Sequence, residues 1–107
     1  MDKTHIISLL QTNDRAIARA LVVLNARQTV DEQVLSETRH QNGRGFNSAD
    51  ARMGTSMAQF FERNGYLTAK QLAYWKKPDA RGTWRICKYA GQLLEEAQAK
   101  RAAAATA

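Results

Sequence analysis

Apolar residues recur at spacings of three and four along most of this chain, and that periodicity restricts its fold more than any other feature. The clearest case is residues 14–27, where Ile17, Leu21 and Leu24 fall on one face of a helix. Residues 82–88 come closest to a strand pattern, but their apolar and polar residues do not alternate regularly. The pattern therefore predicts an all-α protein, a compact bundle of five or six short helices.

Capping residues divide the N-terminal half of this pattern into elements. We expect a first helix over residues 4–11 and a second that Asn13 caps and that ends near Arg27. Thr29 can cap a short third helix, because two acidic residues follow in its first turn. Residues 38–47 are not periodic, so we expect a loop there.

The C-terminal half contains stronger boundary signals. Ser48 is the predicted N-cap of a helix with Asp50 in its first turn, and Asn64 followed by a glycine ends that helix. Gly54 inside this helix indicates close packing, because glycine costs about 1 kcal/mol relative to alanine there. The remaining signals are a capping box at Thr68 and Gln71, a stop at Pro78, and a last helix over residues 84–100. The predicted inward face of that helix is Trp84, Cys87, Gly91, Leu94 and either Ala97 or Gln98.

The length of 107 residues and the 44% of hydrophobic residues suit one small globular domain. We assign residues 1–101 to a single helical domain and expect the low-complexity tail, residues 102–107, to fray. The lone Cys87 excludes an internal disulfide and fits a core position. We find neither a signal-peptide pattern nor an apolar run of membrane-spanning length, so we expect a cytoplasmic protein without a membrane partner.

Charge gives the first indication of function. The net charge is +6 and the isoelectric point is near 9.9, as in proteins that bind nucleic acid or an acidic partner. The excess is densest in residues 70–88, which we call the basic segment. It contains one acid, Asp79, and six bases, Lys70, Lys76, Lys77, Arg81, Arg85 and Lys88.

Four aromatic residues are interleaved with these bases. Trp75 is our candidate for stacking on an unpaired base, whereas Tyr74 and Trp84 fit the core better. Alternatively, all the aromatic residues belong to the core and the bases form a solvated face.

The glycine loop, residues 38–47, is the second candidate contact region. Backbone amides near Gly43 and Gly45 could bind an anion beside His40 and Arg44. We favour the other interpretation, a structural corner in which Phe46 enters the core. The loop lacks the third glycine of a dinucleotide site, and no strand precedes it.

The sequence does not indicate catalysis. The two histidines, His5 and His40, are far apart, and no group of His, Cys, Asp and Glu has the spacing of metal ligands. We therefore expect no enzyme activity, no catalytic residue, no cofactor and no metal.

Several short motifs resemble a helical module of small phage- and plasmid-encoded proteins, which is sometimes attached to helicase-like proteins. The resemblance covers roughly residues 25–95, and residues 76–82 with Pro78 are an insertion relative to that module. It implies a mobile-element setting and a compact helical fold, without a defined activity. The motifs are Arg27-Gln28-Thr29, Asp31-Glu32-Gln33, Asn42-Gly43, Gly45-Phe46-Asn47, Asp50-Ala51, Leu67-Thr68, Lys70-Gln71-Leu72-Ala73, Lys88-Tyr89 and Gln92-Leu93.

Together these features predict a small basic nucleic-acid-binding accessory protein of a mobile element, with DNA and RNA equally open. The alternative is a phage-encoded inhibitor that docks on an acidic or nucleic-acid-handling host protein, such as a nuclease, a helicase or a defence complex. The candidate contact residues are Arg44, Lys76, Lys77, Arg81, Arg85, Lys88, Trp75 and His40.

Overall fold

The computed structural model describes residues 2–35, 45–47 and 49–106, and for residues 28–35 and 103–106 the description is confined to the backbone. These residues form an all-α fold, as predicted. An isolated bridge between Pro78 and Trp84 is the one β-type pairing among them. The elements are α1 (Lys3–Thr12), α2 (Asp14–Leu35), α3 (Ala51–Asn64), α4 (Ala69–Lys76), a 3₁₀ helix (Arg85–Tyr89) and α5 (Ala90–Thr106). None of the described helices is long and apolar enough to cross a bilayer.

Helix α2 supplies the centre of the core. Ile17, Leu21 and Leu24 are completely buried, which confirms the face predicted from their spacing. Asn13 starts the helix as expected, because its side-chain oxygen accepts the Arg15 N–H at 3.0 Å. Helix α2 packs against α3, and α1 packs against α5.

The predicted break near Thr29 is wrong, because α2 continues without interruption to Leu35. Threonine is less favourable than alanine in a helix by no more than about 0.7 kcal/mol. This cost is too small to end a helix that tertiary contacts stabilise. Arg27 supplies such contacts at the expected break. Its guanidinium donates to the Gln92 carbonyl at 2.8 Å and to the Glu95 carboxylate at 3.2 Å, which ties α2 to α5.

Helix α3 begins at Ala51, and its N-cap residue is Asp50, which makes no side-chain capping bond. The predicted cap, Ser48, lies outside the described residues. The Asn47 side chain accepts the Asp50 N–H at 2.9 Å. The helix ends as predicted at Gly65, whose φ of 80° is the left-handed conformation that glycine adopts easily.

Helix α4 has the predicted capping box, in which Thr68 and Gln71 each bond the other's backbone N–H. The helix ends at Lys76, two residues before Pro78.

The predicted last helix divides in two. Residues 85–89 form the 3₁₀ helix, and the α-helix starts at Ala90. This tighter winding shifts the inward face, which consists of Ile86, Cys87, Tyr89, Ala90 and Leu93. Of the predicted inward residues, Cys87 is buried, whereas Trp84, Gly91, Leu94 and Ala97 are only half-buried and Gln98 is exposed.

Helix α5 extends through Thr106 and so includes most of the low-complexity tail. Alanine has the highest helix propensity of all residues, which accounts for the extension in the absence of an apolar face.

Gly54 leaves room for Phe46, at the end of the glycine loop, to enter the core. A Cβ atom at this position would lie 2.5 Å from Cζ of Phe46, which is far inside van der Waals contact. The Phe46 ring is buried and is bounded by Trp75 and Tyr89, whose ring centroids are 5.7 and 5.9 Å away. The close packing predicted at Gly54 and the core position predicted for Phe46 are both confirmed.

We therefore expect Gly54→Ala to lower the free energy of unfolding by about 1 to 2 kcal/mol in urea denaturation. Overpacking costs about 1 to 3 kcal/mol, and a Cβ 2.5 Å from a buried ring belongs in the upper part of that range. The higher helix propensity of alanine returns at most about 1 kcal/mol. Gly91→Ala is the matched control, because the nearest atom to its new Cβ is Lys3 Cε at 4.0 Å. Gly91→Ala should be neutral or stabilising, and a Gly54→Ala variant as stable as the wild type would contradict the packing described.

Candidate functional site

The buried carboxylate of Asp50 gathers side chains from α4 and the 3₁₀ helix at the start of α3. Asp50 is completely inaccessible to solvent. Its Oδ1 accepts from Arg85 Nη1 at 2.7 Å and from the Tyr74 hydroxyl at 3.2 Å. Its Oδ2 accepts from the Tyr89 hydroxyl at 2.6 Å and from Lys88 Nζ at 2.7 Å. We call these five residues the Asp50 cluster.

Four donors for two oxygens satisfy about all the acceptor capacity of a carboxylate. Burial raises the pKa of Asp50, but hydrogen bonds from Lys88, Tyr89 and Arg85 outweigh it and hold that pKa below its usual value. Burial and the bond to Asp50 raise the pKa of Tyr89, so this hydroxyl remains a donor at neutral pH. The cluster is therefore an ionised carboxylate between two cations and two neutral phenols.

The spacing of the 3₁₀ helix aligns its two cations. Residues three apart lie on the same face of such a helix, so Arg85 and Lys88 approach Asp50 together. The Arg85 guanidinium also lies over the Tyr74 ring, 4.5 Å from its centroid. Arg85 and Lys88 keep 30% and 36% of their side-chain surface exposed, so each cation also contacts solvent.

The described end of the glycine loop contacts the same region. The Gly45 N–H donates to the Gln92 side chain at 2.7 Å, and the Gln92 amide donates back to the Gly45 carbonyl at 2.9 Å. The Asn47 N–H donates to the Tyr89 hydroxyl at 3.1 Å. Residues 45–47 thus form a structural corner. The two candidates earlier in the loop, His40 and Arg44, lie outside the described residues.

The basic segment contains a closed turn between α4 and the 3₁₀ helix. The Asp79 carboxylate accepts the N–H groups of Arg81 at 2.8 Å and Thr83 at 3.0 Å, and these bonds hold its pKa below the usual value. The Arg85 N–H donates to the Lys77 carbonyl at 3.0 Å and closes the turn. Lys77 and Arg81 are exposed on this well-bonded turn.

The remaining site candidates differ in their surroundings. Lys76 forms an ion pair with Asp14 at 2.7 Å and is about one-third exposed. Trp75 is completely buried, and its indole N–H points to Met57 Sδ at 3.0 Å. The prediction that Trp75 stacks on a base at the surface is wrong, because α4 packs this ring against Phe46 in the core.

Sequence reasoning missed the role of Asp50. The sequence places Asp50 in the first turn of a helix, where an acid usually interacts with the helix dipole. The available signal was the spacing of Arg85 and Lys88, which places two cations on one face of a partly buried turn, with Tyr89 beside them. Buried charges are paired in folded proteins, so this group favours an anion opposite it.

The exposed cations of the basic segment are suited to binding anions. Lys70, Lys77 and Arg81 can contact phosphates or carboxylates without any change in covalent structure. In the part of the chain that the structure describes, no three His, Cys, Asp or Glu side chains come together as metal ligands would.

Comparison with known proteins gives no relative. No family model, no curated protein sequence and no solved structure matches this chain.

We expect Asp50→Asn to lower the free energy of unfolding at neutral pH by about 2 to 4 kcal/mol. Removing one partner of a fully buried pair costs about 3 to 5 kcal/mol, and the solvent contact of Arg85 and Lys88 reduces that cost. Because the pKa of Asp50 is lowered by folding, its stabilisation is complete above the unfolded value of about 4 and is lost as the pH falls through the folded value. The difference between variant and wild type should therefore shrink at acid pH.

Urea denaturation at several pH values measures these free energies of unfolding. Asp14→Asn is the control variant. It breaks the pair with Lys76, in which Asp14 is 60% exposed, and should cost less than about 1 kcal/mol. An Asp50→Asn variant with the same loss as Asp14→Asn would show that the cluster does not stabilise the fold.

Proposed function

We propose that this protein binds nucleic acid through the basic segment and acts as a small accessory protein of a mobile element. The phosphate backbone is a dense line of negative charge, and lysine and arginine bind it by neutralising phosphates and releasing counterions. Such contacts position a protein on a nucleic acid without recognising its base sequence. The proposal therefore concerns general affinity for nucleic acid, and it assigns no base specificity.

The observation that carries the proposal is the division of the six bases into two groups. Lys76, Arg85 and Lys88 have carboxylate partners within the protein. Lys70, Lys77 and Arg81 are exposed and have no ion pair with any other described residue. Asp79 attracts Arg81 electrostatically but forms no ion pair with it, so all three cations are available to an external polyanion.

The turn between α4 and the 3₁₀ helix supports the same interpretation. Its hydrogen bonds fix the backbone on which Lys77 and Arg81 stand, so these residues lose less conformational entropy on binding than they would on an unbonded loop. Arg85 and Lys88 adjoin this turn in sequence and are partly exposed, so they extend the positive surface.

We expect the wild type to bind fluorescein-labelled oligonucleotides in anisotropy titrations at about 50 mM salt and to bind much more weakly at about 200 mM. The variant Lys70→Gln, Lys77→Gln, Arg81→Gln should lose at least about tenfold in affinity at low salt. The slope of log affinity against log salt should fall by about three, one for each lost phosphate contact.

The matched control is Arg63→Gln, Lys100→Gln, Arg101→Gln, which removes the same charge from exposed positions outside the basic segment. It should retain most of the affinity. Equal losses in the two triple variants would show that only net charge matters, and absence of wild-type binding at low salt would refute the proposal.

A further inference from the structure

We infer that the preferred ligand is a single strand, and that one of its bases stacks on Tyr66 in a shallow pocket between α2 and α4. This inference rests on the proposed function and adds the class of nucleic acid. It is carried by the exposure of Tyr66, by the lining of the pocket beside it, and by the connection of that pocket to the basic segment.

Tyr66 is the most exposed large hydrophobic side chain of the described residues, at 56%. It follows Gly65 in the turn between α3 and α4, and the Phe60 ring supports it edge to face with centroids 5.6 Å apart. An aromatic ring that is held at the surface in this way offers a π-face to a ligand. Bases of a single strand stack on such rings, whereas the bases of a duplex are already stacked on each other.

The pocket beside Tyr66 combines apolar walls with a cation. Its volume is about 280 Å³, and Leu67 and Leu72 form apolar parts of its wall. Arg15 also lines it and has no ion pair with any other described residue. A base can thus contact the tyrosine and leucines while a neighbouring phosphate contacts the arginine.

The pocket adjoins the basic segment. Asp14 lines the pocket, but its charge is compensated by Lys76 of α4 at 2.7 Å. Leu72 lies on the same helix, and Lys70 is in the first turn of that helix, four residues after Tyr66. A strand with one base in the pocket therefore lies beside α4, within the region from which the phosphate-binding cations extend.

The test compares three probes in anisotropy titrations at low salt: an oligothymidylate and an oligouridylate of about 15 nucleotides, and a blunt duplex of the same length. The wild type should bind at least one single strand more tightly than the duplex. Tyr66→Ala should weaken single-strand binding roughly 5- to 150-fold, the range that loss of one stacked base produces, and leave duplex binding within about twofold. Tyr66→Phe should retain single-strand binding, because it keeps the ring.

Tyr66→Trp gives a second readout. Trp75 is buried and Trp84 is half-buried, so a tryptophan at position 66 would add an exposed fluorophore. Its emission should be quenched by the oligothymidylate, beyond any change in the wild type.

Several outcomes would overturn the inference and leave the proposed function intact. The first is tighter binding of the duplex than of either single strand. The second is an equal loss of affinity for single strand and duplex in Tyr66→Ala. The third is unchanged affinity in Tyr66→Ala while the triple basic variant loses affinity. Failure of the wild type to bind any probe would overturn both proposals. An added oligodeoxyuridylate, which differs from the oligouridylate only in its sugar, would distinguish DNA from RNA as the ligand.

Discussion

A carboxylate that is removed from water stays charged only if the protein replaces every lost hydrogen bond, and Asp50 is in this position. Its donors come from α4 and from the 3₁₀ helix, whereas Asp50 itself stands at the start of α3. The requirement to satisfy one charge thus fixes three elements relative to one another. It also orders the end of the glycine loop, because Tyr89 bonds both Asp50 and the Asn47 backbone. The closed turn of the basic segment is attached to this framework through Arg85.

The Asp50 cluster also changes how the charge of the basic segment is interpreted. A count of residues gives six bases and one acid, but half of those bases have partners that the sequence places far away, at Asp14 and Asp50. The uncompensated charge is therefore smaller and more localised than the count implies. It lies at Lys70, Lys77 and Arg81, whose side chains are exposed to a binding partner.

The local signals in the sequence predicted most of the fold. The structure contains three of these short-range features: the regular spacing of apolar residues in α2, the capping box at Thr68 and the helix end at Gly65. The errors arose where tertiary contacts prevail over local preference. Arg27 holds α2 through the expected break, and the tight winding of residues 85–89 shifts the buried face of the last helix. The site was less predictable for two reasons. Periodicity did not show that Trp75 is buried rather than exposed. The partners of Asp50 lie 24 to 39 positions away in the sequence, beyond the range of local signals.

The cations of the basic segment that form no ion pair with any other described residue are the proposed contact surface for a nucleic acid. This surface can be mapped by titrating the ¹⁵N-labelled protein with a short oligonucleotide and following the amide chemical shifts. We expect the largest shifts in residues 66–85, including Lys77 and Arg81, and little change at the amides of α1 and the C-terminal half of α5. Shifts concentrated on α1 and α5, or absent at every amide, would contradict it.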